Sequence, residues 1–332
     1  MTSRENVVRA IERRAPGYVP TMITHADVMN GDMITVMAAA PLSFVPDVPH
    51  RSEWGFILAP HEGTMGQPSD EPFLNGWDGF ESFVPPDPTD PSRYRMLSEG
   101  REKAEASGKY LICNLGITGF NLATFIRGFN GFLEDLYIDR EPVMKLLDMV
   151  FDFEKQMIRE FCSRGGVDGF MFFDDWGAQD RLLIHPDLFR ELFKHRYQEQ
   201  FDLIHSFGKH VIFHSCGYVY DIIPDLIEVG ADVINLNQPD LFGVEKMGAD
   251  FAGKVCFLCP ADHQTTAISG DKKALFDYVD RLYKNLNVFD GNGCLNGGLI
   301  GLVEDYGIMG MSQDNYHHIQ EAFFRYKTSK GV

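Results

Sequence analysis

The sequence has 332 residues, of which 44% are hydrophobic and 23% are charged, a composition typical of a folded globular protein. Its formal net charge of −18 argues against nucleic acid or an anionic membrane as a partner, because both are bound by basic surfaces. The six cysteines do not indicate a disulfide framework in a chain of this length. Neither a secretory signal nor an apolar run of about 18 residues is found, so we expect a cytoplasmic protein without a membrane segment.

The predicted elements begin with an amphipathic helix within residues 1–20 and a short first strand at 19–24. A segment rich in turn residues, 51–91, follows and is predicted to pass over the mouth of the fold. From Lys109 onward short apolar strands alternate with helical segments, and the helical segment 131–165 is predicted to break near Pro142. Further strands are predicted at 109–117, 168–175, 210–217, 231–239, 254–264 and 297–307, and further helices at 185–208, 220–230, 273–286 and 313–327.

This alternation of strand and helix predicts a parallel sheet covered by helices. The chain length fits one (β/α)8 barrel over residues 1–332, and two smaller domains are the alternative. A dinucleotide-binding doubly wound sheet would carry a glycine-rich loop after its first strand, and none is present. In a barrel, the carboxyl ends of the strands meet at one mouth, where active sites lie. Polar residues follow most of the predicted strands: Asn114, Asp174, Asp175, His214, Cys216, Asn237, Gln238, Asp262, Gln264, Glu304 and Asp305.

The motif His214-Ser215-Cys216-Gly217 follows one of these strands. Residues two apart in an extended chain point to the same side, so the imidazole and the thiol face one point at the mouth. Nitrogen and sulfur ligands together suit a cation such as zinc. A buried cysteine that packs as a small hydrophobe beside a hydrogen-bonded histidine is the alternative.

A zinc site needs further ligands, and three residues are candidates. Cys259 and Glu304 both end predicted strands and would lie at the mouth, whereas Cys294 precedes the last strand and would lie at the opposite face. The sequence therefore favours Glu304 or Cys259 as a metal ligand, and Cys256 is expected in the core.

Other polar residues at the strand ends are candidates for catalysis or substrate binding. Alternation directs only one of Asp174 and Asp175 into the mouth, and Asp175 is predicted to be the catalytic carboxylate, together with Glu304. The predicted substrate-binding residues are His25, Asn237, Gln238 and Gln264.

Residues 165–264 resemble the uroporphyrinogen decarboxylase superfamily, as do the later strand GGLIGLVE and the stretch SEWGF around Glu53. The resemblance implies a distorted (β/α)8 barrel with its site at the carboxyl-terminal mouth. True decarboxylases of this superfamily carry an amino-terminal segment of the type R-Q-A-G-R-Y, which binds the substrate's carboxylates. No such segment precedes Pro60.

A second branch of the superfamily comprises corrinoid-dependent methyltransferases with a zinc motif similar to His-x-Cys followed much later by a third cysteine. His214 and Cys216 match the first two positions. Where that branch has its third cysteine, this chain has Glu304 and Asp305, and Cys294 would match only across a gap.

The resemblance therefore implies a zinc-dependent methyltransferase that moves a methyl group between a small methylated donor and the cobalt of a corrinoid held by a partner protein. A methoxylated aromatic compound, methanol, a methylamine and a thiol are all open as the donor, and a homodimer is open as the oligomeric state. A uroporphyrinogen-type decarboxylase and a non-catalytic binding protein are the alternatives, since barrels host many chemistries.

Overall fold

The structure is a computed structural model that describes residues 1–24, 27–61, 64–69 and 72–328. Eight parallel strands form one sheet in the order β1-β8-β7-β6-β5-β4-β3-β2, which confirms the predicted barrel. In chain order these strands are β1 Thr21–Ile23, β2 Met33–Met37, β3 Tyr110–Ile117, β4 Gly169–Phe173, β5 His210–His214, β6 Val233–Asn235, β7 Cys256–Cys259 and β8 Leu299–Val303.

The barrel closes between β1 and β2, which stand at the two ends of that order. The Asp32 amide before β2 donates to the Thr21 carbonyl oxygen at 2.7 Å, and the Thr21 amide donates to the Asp32 carboxylate at 2.8 Å. These bonds satisfy backbone groups that an open sheet edge would leave exposed.

The helices surround the strands, as the sequence pattern predicts. Within the described residues no helix combines the length and the apolar character needed to cross a membrane. The predicted break in the helical segment 131–165 lies at Asp139, between the helices Phe129–Ile138 and Arg140–Arg164. Pro142 itself lies in the first turn of the second helix, where proline is tolerated. The helices are α1 Ser3–Ile11, α2 Leu97–Ser107, α3 Gly119–Arg127, α4 Phe129–Ile138, α5 Arg140–Arg164, α6 Pro186–Leu192, α7 Lys194–Ser206, α8 Ile223–Glu228, α9 Val244–Phe251, α10 Thr266–Ser269, α11 Lys272–Leu286, α12 Tyr306–Met309 and α13 Gln313–Thr328.

Strand alternation divides the core into two layers. An inner cluster fills the barrel, and Val7 and Ile11 of α1 close it at the amino-terminal end of the strands. A larger outer cluster lies between the strands and the helices. Helix α13 packs so closely on β8 that a Cβ at Gly301 would come within 2.5 Å of the Phe323 ring.

The segment 51–91 includes an antiparallel hairpin, Leu58–His61 with Thr64–Pro68, and a short 3-10 helix, Phe80–Ser82. Trp54 packs edge-on against Phe153 of α5 with ring centroids 5.0 Å apart. Pro68 reaches the wall of the cavity at the mouth. This segment therefore joins the helical layer to the barrel mouth.

Candidate functional site

A cavity of about 560 Å³ opens at the carboxyl ends of the strands. Its lining combines apolar side chains with the polar residues that follow the strands, as the sequence predicts for a barrel mouth. The lining residues are Thr24, Pro68, Ile117, Asn121, Thr124, Phe125, Phe129, Phe173, Asp175, Leu183, His214, Cys216, Asn237, Gln238, His263, Glu304 and Asp305.

His214, the last residue of β5, is held in one orientation by Asn235, the last residue of β6. Nδ1 of His214 lies 2.7 Å from Oδ1 of Asn235. The side-chain amide nitrogen of Asn235 donates to the Leu258 carbonyl oxygen at 2.8 Å. This bond keeps the side-chain oxygen of Asn235 directed at the histidine. Nδ1 is therefore the protonated nitrogen, and Nε2 faces the cavity as a potential metal ligand.

Asp175 and Cys216 both lie close to Nε2 of His214. Nε2 of His214 lies 3.4 Å from Cys216 Sγ and 3.5 Å from Asp175 Oδ1, and the three ligand atoms all lie within 4.8 Å of one another. The Cys216 amide donates to Asp175 Oδ1 at 2.7 Å, which couples the two loops. Strand alternation predicts that Asp175, and not Asp174, faces the mouth. In the structure Asp175 lines the cavity there.

The charges of His214 and Asp175 stabilise each other. Burial alone would lower the pKa of His214, but the Cys216 sulfur and the Asp175 carboxylate raise it well above its usual value. Burial would raise the pKa of Asp175, yet the contact with His214 holds it below its usual range. A cation bound here would take the place of the proton on Nε2.

Two glycines bring the loops after β4 and β5 into backbone contact. A Cβ at Gly217 would lie 2.1 Å from the Gly177 carbonyl oxygen, and a Cβ at Gly177 would lie 2.4 Å from the Gly217 carbonyl carbon. Gly217 also adopts a φ of +76°, which disfavours other residues. Its amide donates to Oε1 of Gln238 at 3.0 Å, so this predicted substrate-binding residue also supports the loop that carries Cys216.

The neighbouring Asp174 is fully buried and points away from the cavity. Its carboxylate accepts hydrogen bonds from the Phe120 and Asn121 amides, at 3.0 and 2.8 Å, and from the Tyr197 hydroxyl. It therefore caps the first turn of α3, the helix that supplies part of the apolar wall.

A second polar cluster of the cavity comprises Glu304, His263 and Asn237. The Asn237 side-chain amide donates to Glu304 Oε2 at 3.3 Å. Nδ1 of His263 lies 3.1 Å from the same oxygen, but the contact lacks hydrogen-bond geometry and leaves Nδ1 without a partner. Burial raises the pKa of Glu304, and burial together with the charge of His214 lowers the pKa of His263 to about 3. His263 is thus a neutral ring with an unused nitrogen.

The sequence prediction did not include His263 and chose the adjacent Gln264 instead. Gln264 is exposed and lies outside the cavity lining, because Asp262 folds the chain after β7 into a turn by accepting from the Gln264 and Thr265 amides. The His263 amide donates to the Asn237 carbonyl oxygen at 3.1 Å, which directs the ring towards the mouth. The only signal in the sequence was a histidine close to the end of an apolar strand.

The structure does not bring the other candidate ligands to the group of Asp175, His214 and Cys216, called the metal group below. Cys259 belongs to the outer cluster, because alternation directs Cys256 into the barrel and Cys259 towards the helices, so we leave Cys259 out of the proposed ligand set. Cys294 is exposed before β8, near the end of the barrel that α1 closes. Glu304 lines the cavity beside the group without belonging to it. His25, a predicted substrate-binding residue, falls outside the described residues.

The donor set of Asp175, His214 and Cys216 fits zinc. Bond lengths of about 2.0–2.3 Å in a tetrahedral site put the ligand atoms roughly 3.3–3.8 Å apart. The two distances from His214 Nε2, 3.4 and 3.5 Å, fall within that range. Three protein donors leave one tetrahedral position for a substrate, as is typical of catalytic rather than structural zinc.

Comparison with solved structures gives a similar fold. A methyltransferase from Methanosarcina mazei aligns with a TM-score of 0.70 at 13% identity, covering 99% of this chain and 100% of that one. A chitinase from Rhizomucor miehei aligns with a TM-score of 0.43 at 10% identity, covering 91% and 98% of the two chains. An endo-β-1,4-xylanase from Gloeophyllum trabeum aligns with a TM-score of 0.42 at 8% identity, covering 71% and 81%. At 13% identity the likeness to the methyltransferase shows the fold alone.

Comparison by sequence gives the family. No curated protein matches the chain. The family model described as uroporphyrinogen decarboxylase (URO-D) matches residues 65–258, which is more than half of the chain and includes the loops that carry Asp175, His214 and Cys216. The chain belongs to the uroporphyrinogen decarboxylase family.

Proposed function

We propose that this protein is a zinc-dependent methyltransferase that moves a methyl group between a small methylated donor and the cobalt of a corrinoid held by a partner protein. The observation that carries this proposal is the group of Asp175, His214 and Cys216 at the barrel mouth, with His214 held by Asn235. The likeness in fold to the Methanosarcina mazei methyltransferase supports it.

In this proposal each residue of the mouth has a distinct task. Asp175, His214 and Cys216 hold the metal, and Asn235 keeps Nε2 of His214 directed at it. When bound, zinc supplies Lewis acidity that activates the heteroatom carrying the methyl group. Glu304 and Asn237 contact the substrate beside the metal, while the apolar wall excludes water from it.

Methyl transfer from an ether also has a defined balance of atoms and electrons. The carbon–oxygen bond breaks with its electron pair left on oxygen, which gains a proton, and the methyl group goes to the nucleophilic cobalt of the partner. The transfer needs no external oxidant or reductant beyond the reduced cobalt of the acceptor. The open mouth of the barrel gives the corrinoid access to the donor.

Decarboxylation of uroporphyrinogen is the alternative activity that the family suggests. Among the described lining residues there is no arginine or lysine, whereas Asp175, Glu304 and Asp305 are acidic. A substrate with many carboxylates would meet these like charges with neither an arginine nor a lysine to pair with, which costs binding energy. The composition of the cavity therefore favours methyl transfer over this decarboxylation.

The proposal is tested by methyl transfer and zinc content in a double variant, His214→Ala with Cys216→Ser. We expect both to be lost, because two of the three protein donors are removed. Cys294→Ser is the matched control, since Cys294 is exposed and far from the mouth, and it should leave both unchanged. Full zinc content in the double variant, or conversion of uroporphyrinogen to coproporphyrinogen by metal-free protein, would contradict the proposal.

A further inference from the structure

A chain of hydrogen bonds runs from the metal group to Glu304 at the carboxyl ends of β5, β6 and β8. Nδ1 of His214 lies 2.7 Å from Oδ1 of Asn235, and Nδ2 of Asn235 donates to Oδ1 of Asn237 at 3.2 Å. Nδ2 of Asn237 donates in turn to Oε2 of Glu304 at 3.3 Å. Both asparagines are buried, so water competes little for these bonds. His214, Asn235, Asn237 and Glu304 are called the relay below.

Hydrogen-bond chemistry fixes the direction of both amides in the relay. A carboxylate only accepts, so Asn237 must present its nitrogen to Glu304 and its oxygen to Asn235. Asn235 must therefore present its nitrogen, and that nitrogen also donates to the Leu258 carbonyl oxygen at 2.8 Å. The oxygen of Asn235 is left for Nδ1 of His214. The two amide dipoles thus point the same way along the relay, with their oxygens on the side of the imidazole.

Hydrogen bonds connected in this way polarise one another, and the effect is larger in a buried site than in water. A negative charge on Glu304 makes the oxygen of Asn237 a stronger acceptor, and the same effect passes through Asn235 to Nδ1–H of His214. A histidine whose Nδ1–H meets a stronger acceptor is a more basic ligand at Nε2. The charge at one end of the relay therefore affects how strongly the other end binds a cation.

We propose that Glu304 is a positioning residue for the metal, and that its carboxylate acts on His214 through Asn237 and Asn235. The inference rests on the metal site of the proposed function. It gives Glu304 a role besides its contact with the substrate, although this residue lies outside the metal group. Because coupling between two sites is reciprocal, a substrate that binds at Glu304 and a cation that binds at His214 change each other's affinity.

A double-mutant cycle on zinc affinity tests the relay in the full-length protein. Glu304→Gln removes the charge but keeps an oxygen that accepts from Asn237. We expect it to weaken zinc binding about tenfold, the lower end of the range for residues that support a metal ligand. In an Asn237→Leu background the same change should cost less than about twofold, because the path is already broken. Competition with a chromophoric chelator measures all four proteins, and equal losses in both backgrounds would overturn the inference.

Asp305→Asn is the matched control for charge. Asp305 lines the same cavity next to Glu304 but is not a member of the relay. Any effect of its charge acts through space, so Asp305→Asn should change zinc affinity equally with and without Asn237→Leu. A loss that disappears in the Asn237→Leu background for Asp305→Asn as well would show that Asn237→Leu merely damages the site, and would contradict the relay.

The hydrogen bond at Nδ1 of His214 gives a second readout, which a purely structural role of Glu304 would leave unchanged. Nuclear magnetic resonance of the zinc-loaded protein with ¹⁵N-labelled histidine detects the Nδ1–H proton, whose resonance moves downfield as its hydrogen bond strengthens. We expect Glu304→Gln to move this resonance upfield and Asp305→Asn to leave it in place. A resonance that stays in place in Glu304→Gln would overturn the inference without recourse to Asn237→Leu.

These outcomes separate the relay from the proposed function. Zinc binding that shows the coupling, in a protein that transfers no methyl group, would reject the methyl transfer and leave the relay standing. Methyl transfer by a protein in which the effects of Glu304→Gln and Asn237→Leu simply add would reject the relay alone. A protein that binds no zinc would reject both.

Discussion

At the scale of single residues, the site depends on which nitrogen of His214 is free. Asn235 decides this, because its oxygen accepts from Nδ1 at 2.7 Å while its amide nitrogen is engaged by the Leu258 carbonyl oxygen. Partners of this kind orient a metal-bound histidine and set its tautomer. The orientation of His214 that the proposed metal site needs is thus set by the ends of β5 and β6.

Replacing Asn235 should weaken metal binding without touching a ligand. We expect Asn235→Leu to lower zinc affinity about 10- to 100-fold, since the acceptor that fixes His214 is lost. Asn235→Asp keeps an acceptor at that position and should retain more zinc than Asn235→Leu. Competition with a chromophoric zinc chelator measures all three proteins, and equal affinities would show that Asn235 does not position the ligand.

The residue scale also shows what the sequence could predict. The pair His214 and Cys216 follows from spacing alone, and alternation selects Asp175 over Asp174. The sequence could not rank Asp175 against Glu304 as a metal neighbour, because that depends on how far each loop reaches beyond its strand. It also missed His263, since the turn imposed by Asp262 interrupts the alternation after β7.

At the scale of elements, the contact between the loops after β4 and β5 holds the metal group together. A Cβ at Gly217 would overlap the Gly177 carbonyl oxygen, which lies only 2.1 Å from the ideal position. The backbone must therefore move if either glycine gains a side chain.

Gly217→Ala is expected to reduce stability and zinc content together. Overpacking and backbone strain each cost about 1–3 kcal/mol, and the resulting shift displaces Cys216 from His214. Gly208→Ala is the matched control, because Gly208 has a similar φ of +67° with no atom within 4 Å of an added Cβ. Gly208→Ala should therefore lose only the stability that backbone strain costs. Chemical denaturation measures the stability of both variants, and metal analysis measures their zinc content. Equal losses in Gly217→Ala and Gly208→Ala would contradict the steric account.

The amino terminus of α3 contacts a second acid that burial perturbs, Glu154 of α5. Glu154 accepts from the Gly119 amide at 2.7 Å and from the Gln200 side-chain amide at 2.6 Å. Burial raises its pKa to about 7, although these hydrogen bonds act in the opposite direction. Helix α3 therefore begins on a carboxyl that holds its proton more tightly in the folded chain than in the unfolded chain.

This difference predicts a pH-dependent stability. Between about pH 4.5 and pH 7 the folded protein keeps a proton that the unfolded chain has released, so the free energy of unfolding falls as pH rises, by up to about 3 kcal/mol. Glu154→Gln should flatten this slope, whereas the exposed Glu141→Gln on the same helix should not. Urea denaturation at pH 5 and pH 7 measures both, and parallel slopes in wild type and Glu154→Gln would contradict the assignment.

At the scale of the whole molecule, the barrel brings together residues that are far apart in the chain. Asp175 and Glu304 follow β4 and β8, and His214 is the last residue of β5. Closure of the sheet between β1 and β2 places all three around one cavity. From β3 onward the fold could be predicted, because those strands are short, apolar and followed by helices, whereas β2, with Thr35 and Met37 exposed, was not among the predicted strands. The packing of the cavity could not be predicted, since it depends on side-chain contacts between distant strands and the hairpin region.

The charge of the molecule and the charge of its cavity agree. The net charge of −18 extends to a mouth that lacks arginine and lysine among its described residues, which makes a polyanionic substrate unfavourable.

X-ray absorption at the zinc edge of the purified protein tests the central claim most directly. The account predicts bound zinc with a single sulfur neighbour at about 2.3 Å and nitrogen or oxygen neighbours at about 2.0–2.2 Å, and loss of the sulfur signal in Cys216→Ser. A protein without zinc, or a zinc shell that keeps its sulfur in Cys216→Ser, would contradict it.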